Sequence, residues 1–351
     1  MERLVSRRSL LGAFAAGLGL AACGTVQSTN SVQLAVAQNS TAFSYFTMYV
    51  ASQQGFFKKA GLSFHPDPIP ITGNGAKTAP GIEAGNIEIA IGTITDALTI
   101  SRVDAHIKII GSVCNGFLID LIASSAFLAK TGLTEASPLE SKVKALVGKK
   151  IGISSPGTAT DGLITYLFRQ YGYDDQRDVV KVSLGNVTPT MALSALASSR
   201  VDAVSWPVPA GQVADRQGVG KLFISPVLGD VAAMRGMLYG VIYARSPVID
   251  AKREAVAAFI RAISEAEAFI HDEPKQTATL LKAFLKLDGA TTVAVAKAAM
   301  QALPASPLVD QKAYQVANDF HVKAGLIAVP LAYSDLVDTY TMNKALAQGR
   351  K

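Results

Sequence analysis

Apolar positions along this chain come in short bursts separated by amphipathic runs. The bursts at 32–38, 63–68, 87–92 and 107–113 read as strands, and the runs at 43–60, 75–84 and 96–103 read as helices. This βαβ alternation predicts an α/β fold with a mostly parallel sheet. Residues 119–124 form a further strand, followed by a polar stretch at 130–141, and the order then repeats. Strands at 150–154, 179–184, 201–205 and 221–225 alternate with helices at 160–171, 189–198 and 210–217. Residues 237–245 make one more apolar strand. Beyond 250 only the helical period remains, with Ala255, Ala258, Phe259, Ala262 and Ile263 on one face. These last helices are expected to cover the first sheet, since parallel sheets bury both faces. Glu265 and Glu267 are expected on their solvated side.

The repetition extends to the wording of the sequence. "GNIEIAIG" at 85–92 and "SRVDAVSW" at 199–206 each place a branched residue and an acid before a short apolar strand. Each is preceded at similar distance by a strand that runs into a Ser/Thr-rich turn, Leu34 to Ala37 in one case and Lys150 to Ile153 in the other. Leu34 lies 53 residues before Ile87, and Lys150 lies 51 before Val201, so the duplicated unit is a whole lobe. Two chain crossings between the lobes would form a hinge.

The N-terminus changes the picture of where the protein works. Arg3, Arg7 and Arg8 precede an uncharged run that ends "LAAC" at Cys23, the layout of an export signal, too short to span a membrane. "LAAC" resembles a bacterial lipobox, which predicts lipid on Cys23 and a tether at 23–31; "SRRSLL" resembles a twin-arginine signal. Cys114 is then the only other thiol, so no intramolecular disulfide can form. It reads as a small buried residue. Loss of residues 1–22 takes the charge from 33 basic and 27 acidic residues to 30 and 26, a net +4. That excess is scattered, with no basic run interleaved with aromatics, which excludes nucleic acid as a partner.

Candidate chemistry is confined to loops at the carboxyl ends of the strands, where open parallel sheets bind ligands. They run 38–43, 71–76, 92–96, 154–161, 185–189 and 206–211. They contain hydroxyls, amides, glycines and helix starts, no Arg or Lys, and two acids, Asp96 and Asp161. Helix N-termini and neutral donors can hold a polar or anionic group without a basic side chain. Taken singly, each Ser, Thr and Asn there also reads as a helix cap. Trp206, the only tryptophan, reads either as an aromatic wall or as a core residue. The four histidines are scattered without metal-ligand spacing and read as surface or strand-end residues. There is no nucleophile elbow, no phosphate loop and no Cys cluster.

Four stretches carry a family resemblance: "YVASQQGFFKKAGL" at 49–62, "IEAGNIEIAIG" at 82–92, "LVGKKIGISSPGTATDGLITYLFRQYGY" at 146–173 and "ALSALASSRVDAVSWPVPA" at 192–210. They resemble the periplasmic substrate-binding proteins of the nitrate, sulfonate and taurine importer group. The resemblance implies a two-lobed periplasmic binding protein fold of type II, with ligand in the interlobe cleft. It implies a signal at 1–22, a first lobe at 32–118 and 237–351, and a second lobe at 119–236. By position the ligand-binding residues fall on Ser40, Thr41, Asn74, Thr93, Ser155, Thr158, Thr160, Asn186 and Trp206. No catalytic residue, cofactor or metal is implied. The partners are a small organic solute with an anionic or polar end, an ABC permease and its ATPase, and a membrane reached through lipid. The protein is expected to be a monomer in the periplasm or at the cell surface. The family often has an acid before the proline that Trp206 precedes here, so an amine-binding acid is missing at that position. A neutral heterocycle such as a pyrimidine precursor, an enzyme like the thiamine-pyrimidine synthases, and a sensor docking on a membrane receptor remain as alternatives.

Overall fold

The computed structural model describes residues 31–185 and 188–348. Eleven strands occur among the described residues: β1 (Val32–Leu34), β2 (Val36–Gln38), β3 (Leu62–Phe64), β4 (Ile89–Thr93), β5 (Ile107–Cys114), β6 (Ile119–Ser124), β7 (Lys150–Ile153), β8 (Val180–Ser183), β9 (Ala203–Pro207), β10 (Gly220–Ile224) and β11 (Gly240–Arg245). The first lobe holds a four-stranded sheet, β2-β4-β11-β5, with the pair β1-β3 beside it. The second holds a five-stranded sheet, β10-β6-β9-β7-β8.

Strand direction follows from how the chain passes between the lobes. In the first sheet β2 and β4 are parallel and β11 alone is reversed. In the second, β7, β8 and β9 are parallel and β6 alone is reversed against β9 and β10. β6 and β11 are the two strands that receive the chain after a crossing. A chain that leaves one sheet at its facing end enters the other at that same end. It must then run away from it, antiparallel to the strands that finish there. Each sheet is thus mostly parallel, and every other strand ends toward the opposite lobe.

The duplicated acids have a structural role. Glu88 Oε2 accepts the Ala35 N–H at 2.9 Å while the Glu88 N–H donates to Ala35 O at 2.7 Å. In the second copy Asp202 Oδ2 accepts the Lys150 N–H at 2.8 Å and the Asp202 N–H donates to Lys150 O at 2.8 Å. Each acid pins the start of its neighbouring strand, away from the loops between the lobes.

Several expectations need correction. The strand read over 32–38 breaks at Ala35, whose backbone is taken by Glu88 and Ile89, so β1 pairs with β3 and only β2 joins the main sheet. The helix read over 43–60 breaks at Gly55, whose φ of 71° separates Phe46–Gln53 from Phe56–Lys59. The late helices cover more than the first sheet. Helix Gly289–Ala299 packs on Ala210–Gln217 of the second lobe, with Asp288 paired to Arg216 at 3.5 Å. Helix Gln311–Lys323 packs on Ala159–Gln170 of the second lobe. Its Phe320 ring lies 5.0 Å from Phe117, at the first crossing, and 5.4 Å from Tyr166. From the same helix His321 reaches the first lobe, where its Nε2 meets Thr95 Oγ1 at 2.8 Å. His321 is fully buried rather than at the surface. Glu267 is also fully buried, on the inner face of helix Arg253–Asp272, and not on the solvated side.

Candidate functional site

Three loops of the first lobe converge on one carboxylate. Thr93 caps helix Ile94–Ser101, and Asp96 completes a capping box with it. Asp96 accepts hydrogen bonds from Thr93 N (2.9 Å), Thr93 Oγ1 (3.0 Å), Gly75 N (2.8 Å) and Asn39 Nδ2 (2.5 Å). The loops after β2, before helix Gly75–Glu83 and after β4 are thereby tied together. The glycines explain how. A Cβ on Gly75 would sit 2.7 Å from Asp96 Oδ1, and one on Gly92 would sit 2.8 Å from Oδ2. These two glycines make room for an internal carboxylate. Burial raises the Asp96 pKa, opposed by these hydrogen bonds.

Of the first-lobe candidates, Asn74 is half-buried and caps its helix, accepting the Lys77 N–H at 3.0 Å. Ser40 Oγ accepts the Ala42 N–H at 3.3 Å, and Thr41 is exposed. Thr93 is half-buried with its hydroxyl committed to Asp96. Behind them stand Tyr45, Tyr239 and Tyr243, all buried. Burial and the neighbouring acids hold these phenols well above their ordinary pKa, so each stays an O–H donor.

In the second lobe the loop after β7 closes on itself. Ser154, Thr158 and Thr160 form a triangle of hydroxyls with edges of 3.0, 2.8 and 2.9 Å. Thr158 Oγ1 also donates to Ser155 O at 2.7 Å, and Thr160 Oγ1 accepts the Ser154 N–H at 3.0 Å. Ser155 is half-buried at the loop's rim. Asn186 lies outside the described residues. Trp206 resolves to the core reading: it is 3% exposed and packs with Ile122, Leu193, Leu196 and Val204. Its ring offers no open wall.

One group escaped the sequence reading. Asp120, the lone acid in the apolar strand "IDLIAS", is 1% exposed at the crossing end of β6. Its Oδ1 accepts the Ser225 hydroxyl at 2.6 Å, and burial pushes its pKa up to about 7. An acid in an otherwise apolar strand was the available signal. Tyr45 and Tyr239 had none: Tyr45 follows the 38–43 loop but reads as part of an apolar helical run, and Tyr239 sits in an apolar strand-like run.

A cavity of about 410 Å³ lies instead along the outer edge of β8, lined by Asp161, Asp175 and Lys181. Its charges are paired with one another: Lys181 Nζ is 2.9 Å from Asp161 and 2.7 Å from Asp175. Burial pushes the Asp175 pKa up, but the hydrogen bond and charge of Lys181, with hydrogen bonds from Gln176 and Arg169, together outweigh it and draw the carboxyl down to about 2.

Residues 42–277 match the family model described as NMT1/THI5 like. No curated protein matches the chain in sequence. Among solved structures, a protein from Bordetella bronchiseptica RB50 superposes with a TM-score of 0.72 at 21% identity, covering 92% of this chain and 98% of that one. The periplasmic sulfonate-binding protein SsuA from Methylobacillus flagellatus KT gives 0.67 at 17% identity, covering 92% and 96%. The periplasmic nitrate-binding protein NrtA from Synechocystis PCC 6803 gives 0.64 at 13%, covering 91% and 89%. The fold is that of the periplasmic binding proteins, and the chain belongs to the NMT1/THI5-like family.

Proposed function

We propose that this chain is the solute-binding component of an ABC importer, taking a small organic solute between its lobes and delivering it to a permease and ATPase. The observation that carries the reading is the reversed strand in each sheet, which turns the carboxyl ends of the remaining strands, and their polar loops, toward the opposite lobe. The named relatives, a sulfonate-binding and a nitrate-binding protein, have the same fold. Ser40, Thr41, Asn74 and Thr93 are the proposed contacts from the first lobe, and Ser155, Thr158, Thr160 and Asn186 those from the second. Trp206 supports the second set from the core. A sulfonate-like anionic end accords with the relatives; the buried carboxyls of Asp96 and Asp120 favour the second reading, a neutral hydrogen-bonding heterocycle.

A binding role rather than an enzymatic one is supported by the condition of the two best catalytic side chains. Burial pushes the Cys114 thiol up to about 12, so it is no thiolate. His321 is driven down to about 4 by burial, its Nδ1–H donating to Ala317 O at 2.6 Å. We also propose export, lipid on Cys23, which lies outside the described residues, and a membrane-anchored monomer. No helix among the described residues is long and apolar enough to cross a membrane. X-ray scattering tests the receptor reading: a saturating solute should reduce the radius of gyration, because only a ligand touching both lobes favours closure. An unchanged radius with a solute whose binding is established by calorimetry would overturn it.

A further inference from the structure

Lys181 stands on β8, the edge strand of the second sheet, yet its ammonium is turned inward. The side chain is 14% exposed, and three oxygens account for its three N–H groups: Asp161 Oδ1 at 2.9 Å, Asp175 Oδ2 at 2.7 Å and Thr165 Oγ1 at 2.7 Å. An edge lysine that only kept other strands away would project into solvent. Asp175 has further donors in Arg169 Nε at 3.0 Å and Gln176 Nε2 at 2.7 Å. Asp161 has Lys181 as its only cationic partner among the described residues. From the first turn of helix Ala159–Gln170, Asp161 Oδ2 reaches back to accept the Gly157 N–H at 2.8 Å. Thr158, at the cap position of that helix, makes no side-chain cap bond and donates its hydroxyl to Ser155 O instead. Packing gives the apex of this loop little support, since Pro156 and Gly157 are exposed and Pro156 borders the groove of about 410 Å³ beside Lys181.

We propose that Lys181 is a positioning residue of the solute site, holding the loop that carries Ser155, Thr158 and Thr160 through the carboxylate of Asp161. The proposal rests on the reading of that loop as a solute contact. Gly157 lies at a φ of 75°, a conformation that glycine enters and leaves freely. A charged acceptor on its N–H, itself fixed from behind by an ammonium, removes that freedom, because bonds to an ionised acceptor are the strong ones. The strand that bears Lys181 also holds the first residue of the loop, with Ser183 Oγ donating to Ser154 O at 3.1 Å. The loop is thus set from outside the cleft, by a group that need not touch the solute.

Lys181→Ala removes the part of the side chain that propylammonium reproduces, and the groove gives that ion a way in. Amide hydrogen exchange read by mass spectrometry compares residues 154–162 with the core strand 119–124. The variant should exchange at least about tenfold faster over 154–162 with 119–124 unchanged, and millimolar propylammonium should restore slow exchange where propanol does not. Loosening of both segments together, no response to propylammonium, or wild-type exchange over 154–162 overturns the proposal. Should Lys181→Ala fail to fold, Asp161→Asn keeps the shape of the acceptor without its charge: fast exchange confined to 154–162 supports the tie, and wild-type exchange overturns it. Use of the loop by solute is read separately in the unmodified protein. Millimolar methanesulfonate or nitrate should slow exchange over 154–162, and Lys181→Ala should bind the same ion at least about tenfold more weakly by calorimetry. An ion held equally by protein and variant overturns the positioning role. If neither ion protects the loop, its use for an anionic solute is overturned while the hold of Lys181 on it stands.

Discussion

Glu267 gives the sharpest test of the packing. It lies in the middle of helix Arg253–Asp272, fully buried, and neither carboxyl oxygen has a hydrogen-bond partner among the described residues. Helix Phe46–Gln53, which packs on Arg253–Asp272, contributes Thr47, whose buried Oγ1 is also unpartnered among the described residues. Burial alone raises the Glu267 pKa well above its ordinary 4.5, so the folded protein holds it as a neutral acid. A buried polar group without partners costs about 1–3 kcal/mol. Glu267→Met, close in volume and free of that cost, should therefore stabilise the protein by about 1–3 kcal/mol near pH 5.

The pH dependence follows from the direction of the shift. The folded state keeps a proton that the unfolded state releases above 4.5, so wild-type stability falls as pH rises from there toward the folded pKa. The loss is at most about 1.4 kcal/mol per pH unit. The methionine variant lacks this slope, and its advantage should grow from pH 5 to pH 8. Urea unfolding followed by far-UV circular dichroism at both values measures it. A variant less stable than wild type at both, or an advantage that does not grow with pH, would refute the burial argument.

Other outcomes follow from the same structure. Asp96→Ala removes the acceptor that joins three loops and should cost at least about 3 kcal/mol, since hydrogen bonds to a charged group contribute about 1.5–3 kcal/mol each; a urea midpoint within error of wild type would show that the loops stand without it. Phe320→Ala empties the contact among Phe117, Tyr166 and the late helix, and should cost about 3–5 kcal/mol. Calorimetric melting reads that loss, and a variant melting at the wild-type temperature would contradict the interlobe packing. Cys23→Ser should move the protein from the membrane to the soluble fraction, as each buried acyl methylene contributes about 0.8 kcal/mol; persistence with membranes would count against lipid at that residue.

What the sequence determined by itself is what depends on neighbours along the chain. Alternation of strand and helix periods gave the two sheets, because burial of one face leaves its mark every second or every 3.6 residues. The matched acids Glu88 and Asp202 marked the duplication, since each acts on a strand at a fixed distance behind it. The loops were legible because strand ends and helix caps use a small set of residues. Tertiary structure decided the rest. Whether Trp206 walls a cleft or fills a core depended on helices 189–197 and 210–217 folding over β9. Glu267 and His321 look like surface residues in their helical patterns, and remote segments bury them. The late helices carry an apolar stripe that says a partner exists without saying which one, so their contacts with the second lobe could not be read. Asp96 and Asp120 show the difference most plainly. One acid gathers three loops and the other keeps an oxygen unpaired, and the energy of a buried carboxyl is set by the groups that close around it, which the chain brings from far away.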